Sequence, residues 1–225
     1  MDLKFEFSFK TEKSKSFRAQ SLIGQYDLEN KDSVQEFKGN HSLPTNWNIG
    51  LIVGNSGSGK TSIAKHVFGE FSKCEWSNES IIENFNSKME MKEITELLGS
   101  VGFNSVPYWL KPFHVLSNGE KSRVELARLI SENNLVVYDE FTSLVDRDVA
   151  KSMSNSIQKL FRKKNKQLVA VTCHKDINEW LLPDWVYDTD EKVFFCPKRE
   201  EKKDSNSKFI EQPNKHGSFI KSIII

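Results

Sequence analysis

The chain of 225 residues has a formal net charge of +1 and is 37 % hydrophobic, which suits one well-buried α/β domain with a small inserted part. Its 32 Lys and Arg are offset by 31 Asp and Glu, which excludes an overall positive field that would attract nucleic acid. The three cysteines lack Cys-x-x-Cys spacing, which argues against a disulfide framework or a zinc site. No apolar stretch approaches the ~20 residues that span a bilayer, and no signal-peptide layout opens the chain, so we expect a soluble, cytoplasmic protein without a transmembrane segment.

The N-terminal part predicts a small antiparallel sheet. Apolar and polar residues alternate over 3–9, which is the period of a strand with one exposed face. Further strand-like pieces lie around 16–23 and 35–39. The apolar run 49–53 then predicts a strand that leads into a Gly-rich loop, and we expect a helix from about 60 to 68.

Alternating helices and strands make up the next part of the chain. We expect an inserted helical part at about 78–132, which ends in an amphipathic helix over 119–132. The continuous apolar run 135–138 is typical of a parallel strand buried on both faces, and a helix at about 147–163 and a strand at 168–171 follow. Strands separated by helices predict an α/β fold with a mostly parallel core sheet.

Two units are expected along the chain. The elements above predict one domain over residues 1–197. The stretch 198–225 is rich in Lys, Glu, Ser and Asn, and we predict that it is a poorly ordered tail.

The strongest functional signal is a phosphate-binding loop. It follows the predicted strand 49–53, as such loops do, and it consists of Gly54, Asn55, Ser56, Gly57, Ser58, Gly59, Lys60, Thr61 and Ser62. Backbone N–H groups of the loop and the N-terminus of the next helix would hold the phosphates of a nucleotide. Lys60 would reach the β- and γ-phosphates, and Thr61 would give its hydroxyl to Mg²⁺. The alternative is a chance Gly/Ser-rich turn, which the preceding strand disfavours, so we predict binding of a nucleoside triphosphate.

Two adjacent carboxylates follow the apolar run 135–138. Active sites of open α/β sheets lie at the carboxyl ends of the strands, so Asp139 and Glu140 would face the triphosphate. Asp139 suits an indirect hold on Mg²⁺, and Glu140 suits a base that polarises the attacking water. The alternative is two acids that open a turn. The phosphate loop earlier in the chain favours the functional interpretation.

A third pattern begins at Ser117. Ser117 and Glu120 have the spacing of a capping box, Ser-x-x-Glu, at the start of an amphipathic helix. Capping does not explain Gly119, because glycine in the first turn costs helix stability. A second function for this segment is therefore indicated.

The segment 116–120 resembles the signature motif of ABC-type ATPases, which is Leu-Ser-Gly-Gly-Gln in its commonest form, with Asn118 and Glu120 as variants here. Other motifs follow in the family's order. The residues before and including Asp146 resemble the D-loop, and His174 follows a strand where the family has its switch histidine. The resemblance covers about residues 49–176. It implies a phosphate-loop NTPase of ABC ATPase type, with an N-terminal antiparallel β subdomain and a short inserted helical subdomain.

The resemblance also implies a mechanism that needs two copies. Two domains of this family pack head to tail as a homodimer and sandwich two ATP molecules with Mg²⁺. Each ATP then lies between one subunit's phosphate loop and the other's signature motif. The residues implied to contact ATP across this interface are Ser117, Asn118, Gly119, Glu120 and Asp146.

Catalytic and base-binding roles are implied in the same way. Lys60 and His174 would contact the γ-phosphate, and Glu140 would orient the water. An aromatic residue of the N-terminal sheet would stack on adenine, with Tyr26 as first choice and Phe17 as second.

The sequence departs from the family in one motif. The family places a glutamine after the strand that follows the phosphate-loop helix, but no glutamine lies between Ser62 and Leu116. Glu75 is the candidate substitute. In transporters that loop senses the membrane partner, so its absence and the short helical part both argue against a transporter subunit.

A narrower resemblance is carried by three aromatic-rich stretches, at 47–53, 107–112 and 180–185. They are similar to soluble ABC-type ATPases that are found alone or fused to a predicted acetyltransferase domain. No acetyltransferase pattern follows residue 197.

We therefore expect a Mg²⁺-dependent ATPase that works as an ATP-sandwiched homodimer outside transport, with an unidentified macromolecular partner. One alternative is a nucleotide-dependent binding or regulatory module, with nucleic acid as a candidate partner for the basic run 162–166. A solvated helix end also explains that run. The other alternative is the ATPase subunit of a membrane transporter.

Overall fold

The structure, a computed structural model, describes residues 2–12, 14–28 and 32–197. The strands of these residues are β1 (Asp2–Thr11), β2 (Ser33–Ser42), β3 (Ile49–Val53), β4 (Leu135–Tyr138), β5 (Gln167–Thr172), β6 (Trp185–Asp188) and β7 (Val193–Phe195). The α-helices are α1 (Phe17–Tyr26), α2 (Lys60–Phe68), α3 (Met91–Ser100), α4 (Val106–Trp109), α5 (Asn118–Glu132), α6 (Arg147–Lys164) and α7 (Ile177–Leu181), and 3₁₀ turns lie at Ile81–Asn84 and Phe113–Val115.

Two sheets organise these elements. The core sheet has the order β4-β5-β3-β6-β7, and β1 pairs with β2 in a separate antiparallel hairpin. All neighbours in the core sheet are parallel except β6 and β7. The predicted α/β fold with a mostly parallel core sheet and an N-terminal antiparallel pair is therefore confirmed.

The core sheet is covered on both faces, because successive side chains of a strand point to opposite sides. Leu51 belongs to a hydrophobic cluster with α3, α5 and α6, whereas its neighbour Ile52 belongs to a second cluster with α2 and β1. Every residue of β3 is buried. The loop that follows β3 therefore begins at the end of a strand that is buried along its whole length.

Aromatic contacts hold the β1–β2 hairpin against α2. The ring of Phe7 stacks on Phe37 of β2 and on His66 of α2, with 5.0 Å between ring centroids in both pairs. Phe5 contacts Tyr187 of β6 edge-on at 5.6 Å. Such pairs contribute about 0.5–1.5 kcal/mol each beyond their buried area. They fix the hairpin beside the loop between β3 and α2.

Several predicted elements are present with small changes at their ends. The helix predicted at 60–68 is α2, and the helices predicted at 119–132 and 147–163 each gain one residue as α5 and α6. The inserted part is less helical than expected, because only α3 is longer than four residues before α5. The strand at 35–39 extends over all of β2.

The strand predicted around 16–23 is wrong, because this segment forms α1. The hydroxyl of Ser16 accepts a hydrogen bond from the N–H of Ala19 at 3.2 Å and so caps the helix. The period-two pattern of β1 does not continue here, and apolar residues recur at helical spacing. The predicted burial of β4 on both faces is also wrong: β4 is an edge strand within the described residues, and only its Val136 is buried.

The structure also contains elements that the sequence did not predict, namely α7, β6 and β7. The tail predicted at 198–225 lies outside the described residues.

Candidate functional site

The loop between β3 and α2 forms a cradle around the amine of Lys60. Gly59 has φ +88° directly before α2, and a Cβ atom there would lie 2.1 Å from the ring of Phe37. Glycine alone satisfies both this backbone conformation and this close approach. Lys60 is 9 % exposed, and its Nζ donates to the carbonyl of Asn55 at 2.5 Å. A buried, positively charged donor is thus held inside the loop.

A cavity of about 400 Å³ opens in front of this loop, a volume typical of small-molecule sites. The structure brings Lys60, Thr61 and Glu140 to this one cavity. Its lining consists of Phe9, Gln35, Phe37, Ser56, Gly57, Gly59, Lys60, Thr61, Ser62, Glu140 and Cys173. We call it the phosphate-loop cavity.

The remaining loop residues are supported by the turn after β6. The N–H of Asn55 donates to the carboxylate of Asp190 at 2.9 Å, and the hydroxyls of Ser58 and Thr189 lie 2.5 Å apart. A Cβ at Gly54 would lie 2.1 Å from the Thr189 hydroxyl oxygen. Sequence reasoning missed this support, because no local pattern connects 189–190 to the loop. Only the pairing of β6 with β3 brings them together.

Asp139 and Glu140 lie at the carboxyl end of β4. The N–H of Glu140 donates to Oδ1 of Asp139 at 2.9 Å. Glu140 has φ +53° and Thr142 has φ +67°, a conformation that costs energy in residues other than glycine and clusters at functional sites. This turn leaves the Glu140 side chain exposed at the edge of the phosphate-loop cavity.

The predicted capping box at the start of α5 is confirmed. The Ser117 hydroxyl accepts from the N–H of Glu120, and the Glu120 carboxylate accepts from the Ser117 N–H at 2.9 Å. The same carboxylate accepts from the Ser117 hydroxyl at 2.8 Å. The hydrogen bond from the Ser117 backbone is the main cause of a lowered pKa of Glu120. Glu120 is therefore held as an anion at the helix N-terminus.

Gly119 has its own structural explanation. A Cβ there would lie 2.6 Å from the carbonyl oxygen of Leu144, which is closer than real side chains approach. The loop 143–146 therefore contacts the first turn of α5 only because residue 119 is glycine. Asp146 ends this loop as the N-cap of α6, since its side chain accepts from the N–H of Val149 at 2.9 Å.

His174 follows β5 on the same edge of the sheet as Glu140. Its N–H donates to the Thr172 hydroxyl at 3.2 Å. Its Nδ1 is buried and has no hydrogen-bond partner within the described residues. The neighbouring Cys173, rather than His174, lines the phosphate-loop cavity.

Curated proteins with similar sequences are ATP-binding proteins of transporters. The chain is 35 % identical over 74 residues to the energy-coupling factor transporter ATP-binding protein EcfA1 of Leuconostoc mesenteroides, covering 32 % of this chain and 27 % of that protein. It is 24 % identical over 176 residues to EcfA1 of Staphylococcus aureus, covering 60 % of this chain and 64 % of that protein. It is 32 % identical over 92 residues to the probable ABC transporter ATP-binding protein p29 of Mesomycoplasma hyorhinis, covering 40 % of this chain and 36 % of that protein. The chain thus spans 27 % to 64 % of the length of these relatives. No protein-family model matches the sequence.

Solved structures decide the fold. The dimeric post-hydrolysis structure of the ATP-binding cassette MJ0796 bound to ADP and Pi superposes with a TM-score of 0.52 at 16 % identity, covering 72 % of this chain and 89 % of that chain. An inward-facing, putative metal-chelate type ABC transporter gives a TM-score of 0.52 at 15 % identity, covering 86 % and 84 %. The chain has the fold of an ABC-type ATPase nucleotide-binding domain. The fold class predicted from the sequence is therefore confirmed.

In this fold the residues that resemble the signature motif do not line the cavity in front of the phosphate loop. The phosphate-loop cavity is lined by none of the residues that were predicted to contact ATP across the dimer interface, namely Ser117, Asn118, Gly119, Glu120 and Asp146. Asn118 instead lines a second cavity of about 440 Å³ beside β4, together with Asp139 and Glu140.

The predicted adenine-stacking residues do not reach the phosphate-loop cavity. Tyr26 and Phe17 lie on α1, where they are 63 % and 83 % exposed, and neither lines the cavity. The aromatic rings that do line it are Phe9 and Phe37 of the hairpin. The reason is that the segment expected as a strand folded as a helix beyond the end of β1.

The segment 74–76, where the resemblance places a glutamine loop, is clamped onto α5. The Glu125 carboxylate accepts from the N–H of Cys74 at 2.8 Å and from the indole N–H of Trp76 at 2.6 Å. The Trp76 ring stacks on Phe113 with centroids 4.3 Å apart. The Glu75 side chain is exposed, and it lines neither the phosphate-loop cavity nor the second cavity. Sequence reasoning missed this clamp, whose partners lie about fifty residues apart.

Burial raises the pKa of the Cys74 thiol to about 12, assisted by the carboxylates of Glu125 and Glu132. Within the described residues, no helix has the length and apolar character needed to cross a membrane.

Proposed function

We propose that the chain binds ATP with Mg²⁺ and hydrolyses it as a head-to-tail homodimer. The observation that carries this proposal is the cavity in which Lys60, Thr61 and Glu140 meet, within a fold shared with ATP-binding cassettes. The signature residues lie outside that cavity, which supports a site completed by a second copy.

Binding of the triphosphate follows from the cradle. The Lys60 amine exchanges its bond to the Asn55 carbonyl for phosphate oxygens, which are stronger acceptors because they are charged. The N-terminus of α2 adds a partial positive charge. Phe9, half exposed at the cavity wall, offers a ring on which the base stacks, in the place first expected for Tyr26.

The residues present fit a Mg²⁺ ion. No group of three or more His, Cys, Asp and Glu in the described part of the chain forms a metal cage, which agrees with an ion that takes most of its ligands from phosphates and water. Thr61, which lines the phosphate-loop cavity, would hold it through its hydroxyl. Asp139 lines the second cavity rather than this one, so its carboxylate would act on the ion indirectly, through a water ligand. Mg²⁺ bound there would neutralise charge on the phosphate oxygens.

Hydrolysis requires a group that orients water at the γ-phosphate. Glu140 is the exposed carboxylate at the cavity edge, so we assign it the role of accepting the water's proton as the oxygen attacks phosphorus and ADP leaves. His174 follows β5 on the same edge of the sheet but does not line the cavity, and we assign it a contact with the γ-phosphate that forms when ATP is bound.

The signature motif would act on the second copy's ATP. Ser117 and the amides around Gly119 stand at the N-terminus of α5, a favourable place for an anion. The Glu120 carboxylate opposes the binding of an anion there, because it repels phosphate and already accepts a hydrogen bond from the Ser117 hydroxyl. Release of that hydrogen bond is therefore part of forming the dimer.

Turnover of ATP by purified wild type, Glu140→Gln and Lys60→Ala tests the proposal. We expect Mg²⁺-dependent hydrolysis by wild type, and a loss of about 10² or more in both variants. Glu140→Gln should still bind ATP, whereas Lys60→Ala should bind it weakly. Lys65→Ala, a change on the exposed side of α2, is the matched control. Hydrolysis that survives Lys60→Ala would mean that another site, or a contaminant, is responsible.

Transport is the second candidate process, and the names of the curated relatives favour it. Against it stand the missing glutamine and the short helical part, so we propose a role outside transport. Co-purification of the tagged chain with a membrane protein from detergent extracts would favour the transporter subunit instead.

A nucleic-acid-binding or regulatory module is the weaker alternative. The basic run that motivated it has structural tasks: Lys163 pairs with Glu96 at 2.7 Å, and Lys166 donates to the carbonyls of Ile130 and Asn133. A gel shift on DNA or RNA that weakens steeply with salt would support it.

A further inference from the structure

The β1–β2 hairpin supplies one end of the phosphate-loop cavity. The ring of Phe37 lies against the phosphate loop, since a Cβ atom at Gly59 would come within 2.1 Å of it. Phe9 and Gln35 face each other across the hairpin, and both line the same cavity. They form the next pair after Phe7–Phe37 on that face of the hairpin, about 7 Å further along the strands. One cavity therefore joins the phosphate loop to the pair Phe9–Gln35.

The Phe9 ring has no parallel neighbour among the rings of the described residues. The rings of Phe7 and Phe37 meet it at interplanar angles of 71° and 73°, so neither is stacked on it. Phe9 is 50 % exposed. Every nucleobase has a π-face that can stack on an open aromatic ring. Stacking on Phe9 would therefore hold a base without distinguishing one base from another.

The Gln35 amide is the polar group beside this ring. Its side chain is exposed, and it makes no hydrogen bond to the residues that the structure describes. Directly opposed residues of two antiparallel strands have Cβ atoms about 4.5–5.5 Å apart, so the amide lies within reach of the edge of a base that stacks on Phe9. A Gln amide carries both donors and an acceptor, and Gln pairs with base edges in this way in nucleic-acid recognition.

We propose that Gln35 binds the edge of the nucleobase and sets which purine the site accepts. This inference rests on the proposed function, which places the triphosphate on the loop and the base on Phe9. Adenine presents its N6 amino donor beside the N1 acceptor, whereas guanine presents its O6 acceptor beside the N1–H donor. The amide matches either pair once it is turned over, because its oxygen and nitrogen then exchange places. The chain should therefore bind GTP as well as ATP, with affinities within about threefold of each other.

The ratio of the affinities for GTP and ATP, measured by calorimetry with Mg²⁺, tests the inference. The two nucleotides share the ribose and the triphosphate, so any effect on the phosphate loop cancels in the ratio. Gln35→Glu replaces the amide with a carboxylate, which only accepts hydrogen bonds. Guanine offers it the N1–H and N2 amino donors side by side, whereas adenine offers the N1 acceptor there. We expect this variant to shift the ratio in favour of GTP by about tenfold or more.

Two further variants separate the base edge from other effects. Phe9→Ala removes the stacking ring, so it should weaken the binding of ATP and GTP alike and leave their ratio unchanged. Asn40→Asp adds the same charge as Gln35→Glu, but on the other face of the hairpin, because Asn40 pairs with Lys4 rather than with a residue of the Phe7–Phe9 face. It should keep the ratio of wild type.

The possible results distinguish this inference from the proposed function. A ratio that is unchanged in Gln35→Glu, or that shifts equally in Asn40→Asp, would overturn the inference while ATP hydrolysis by wild type keeps the proposed function standing. A wild type that prefers one purine by about tenfold or more would overturn the dual pairing of the amide. A ratio that shifts as expected in a chain without ATP turnover would support the base contact and contradict the proposed hydrolysis. Failure of wild type to bind either nucleotide would overturn both.

Discussion

At the scale of residues, Gly119 is where the start of α5 meets the loop 143–146. The carbonyl of Leu144 occupies the space that a side chain at 119 would need. The sequence identified Gly119 as unexplained by capping, and the structure supplies the intrachain reason. A role in contacting ATP would use the same lack of a side chain.

Gly119→Ala should therefore lower the free energy of unfolding by about 1–3 kcal/mol, because its Cβ would overlap the Leu144 carbonyl. Gly99→Ala is the matched control on α3, where the nearest atom is 3.5 Å away; it should be neutral or stabilising by up to about 1 kcal/mol. Urea unfolding of the three proteins gives both values. Equal stability of Gly119→Ala and wild type would contradict the overlap.

The three cysteines should differ in reactivity. A pKa of about 12 leaves about one Cys74 thiol in ten thousand as thiolate at pH 8, whereas Cys173 and Cys196 are exposed. Iodoacetamide at pH 8 should thus modify Cys173 and Cys196 and spare Cys74. Addition of ATP with Mg²⁺ should slow modification of Cys173, which lines the phosphate-loop cavity, but not that of Cys196. Peptide mass spectrometry reports all three rates, and rapid labelling of Cys74 would show that the clamp is open in solution.

At the scale of elements, the Glu125 clamp joins the segment after α2 to α5. It connects the helix that follows the phosphate loop with the helix that begins at the signature motif. Tyr138 of β4 adds a second link, because its hydroxyl donates to the Ser122 carbonyl at 2.7 Å. These links hold α5 on the core.

Glu125→Ala should lower the free energy of unfolding by about 2 kcal/mol or more, because it leaves the Cys74 N–H and the Trp76 indole N–H without their acceptor. Glu132→Ala removes a partly exposed ion pair with Arg128 and a weak contact from the Cys74 thiol at 3.8 Å, and it should cost less than about 1 kcal/mol. Urea unfolding followed by tryptophan fluorescence separates the two. A Glu125→Ala protein no less stable than Glu132→Ala would show that the clamp contributes little.

Elements that depend on local sequence patterns could be predicted, whereas elements that depend on long-range pairing could not. The phosphate loop and the capping box of α5 depend on residues within one or two turns, so their spacing identifies them. The segment of α1 was predicted as a strand because Phe17 and Ile23 have high strand propensity, while its Ser16 cap is a weak signal. The edge position of β4 depends on which strands pair, and no local run of residues encodes that.

At the scale of the whole molecule, the fold brings together the residues of the proposed ATP site in one chain. Lys60, Thr61 and Glu140 meet in one cavity, as their position at the carboxyl edge of the sheet predicted. The support from Thr189 and Asp190 could not be predicted, because it depends on β6 lying next to β3. The residues 117–120 lie outside the phosphate-loop cavity of their own chain, and their predicted action in trans stays a prediction.

If each ATP site combines the phosphate loop of one copy with the signature motif of the other, a mixture of two inactive variants should regain ATPase activity. Lys60→Ala disables a phosphate loop and Ser117→Arg disables a signature motif, so each variant alone should be inactive. In an equal mixture, half of the dimers are mixed, and each mixed dimer has one site built from an intact phosphate loop and an intact signature motif. The ATPase rate of the mixture should therefore recover to about a quarter of wild type. A mixture as inactive as its two components would contradict the sandwich and confine any ATP chemistry to a single chain.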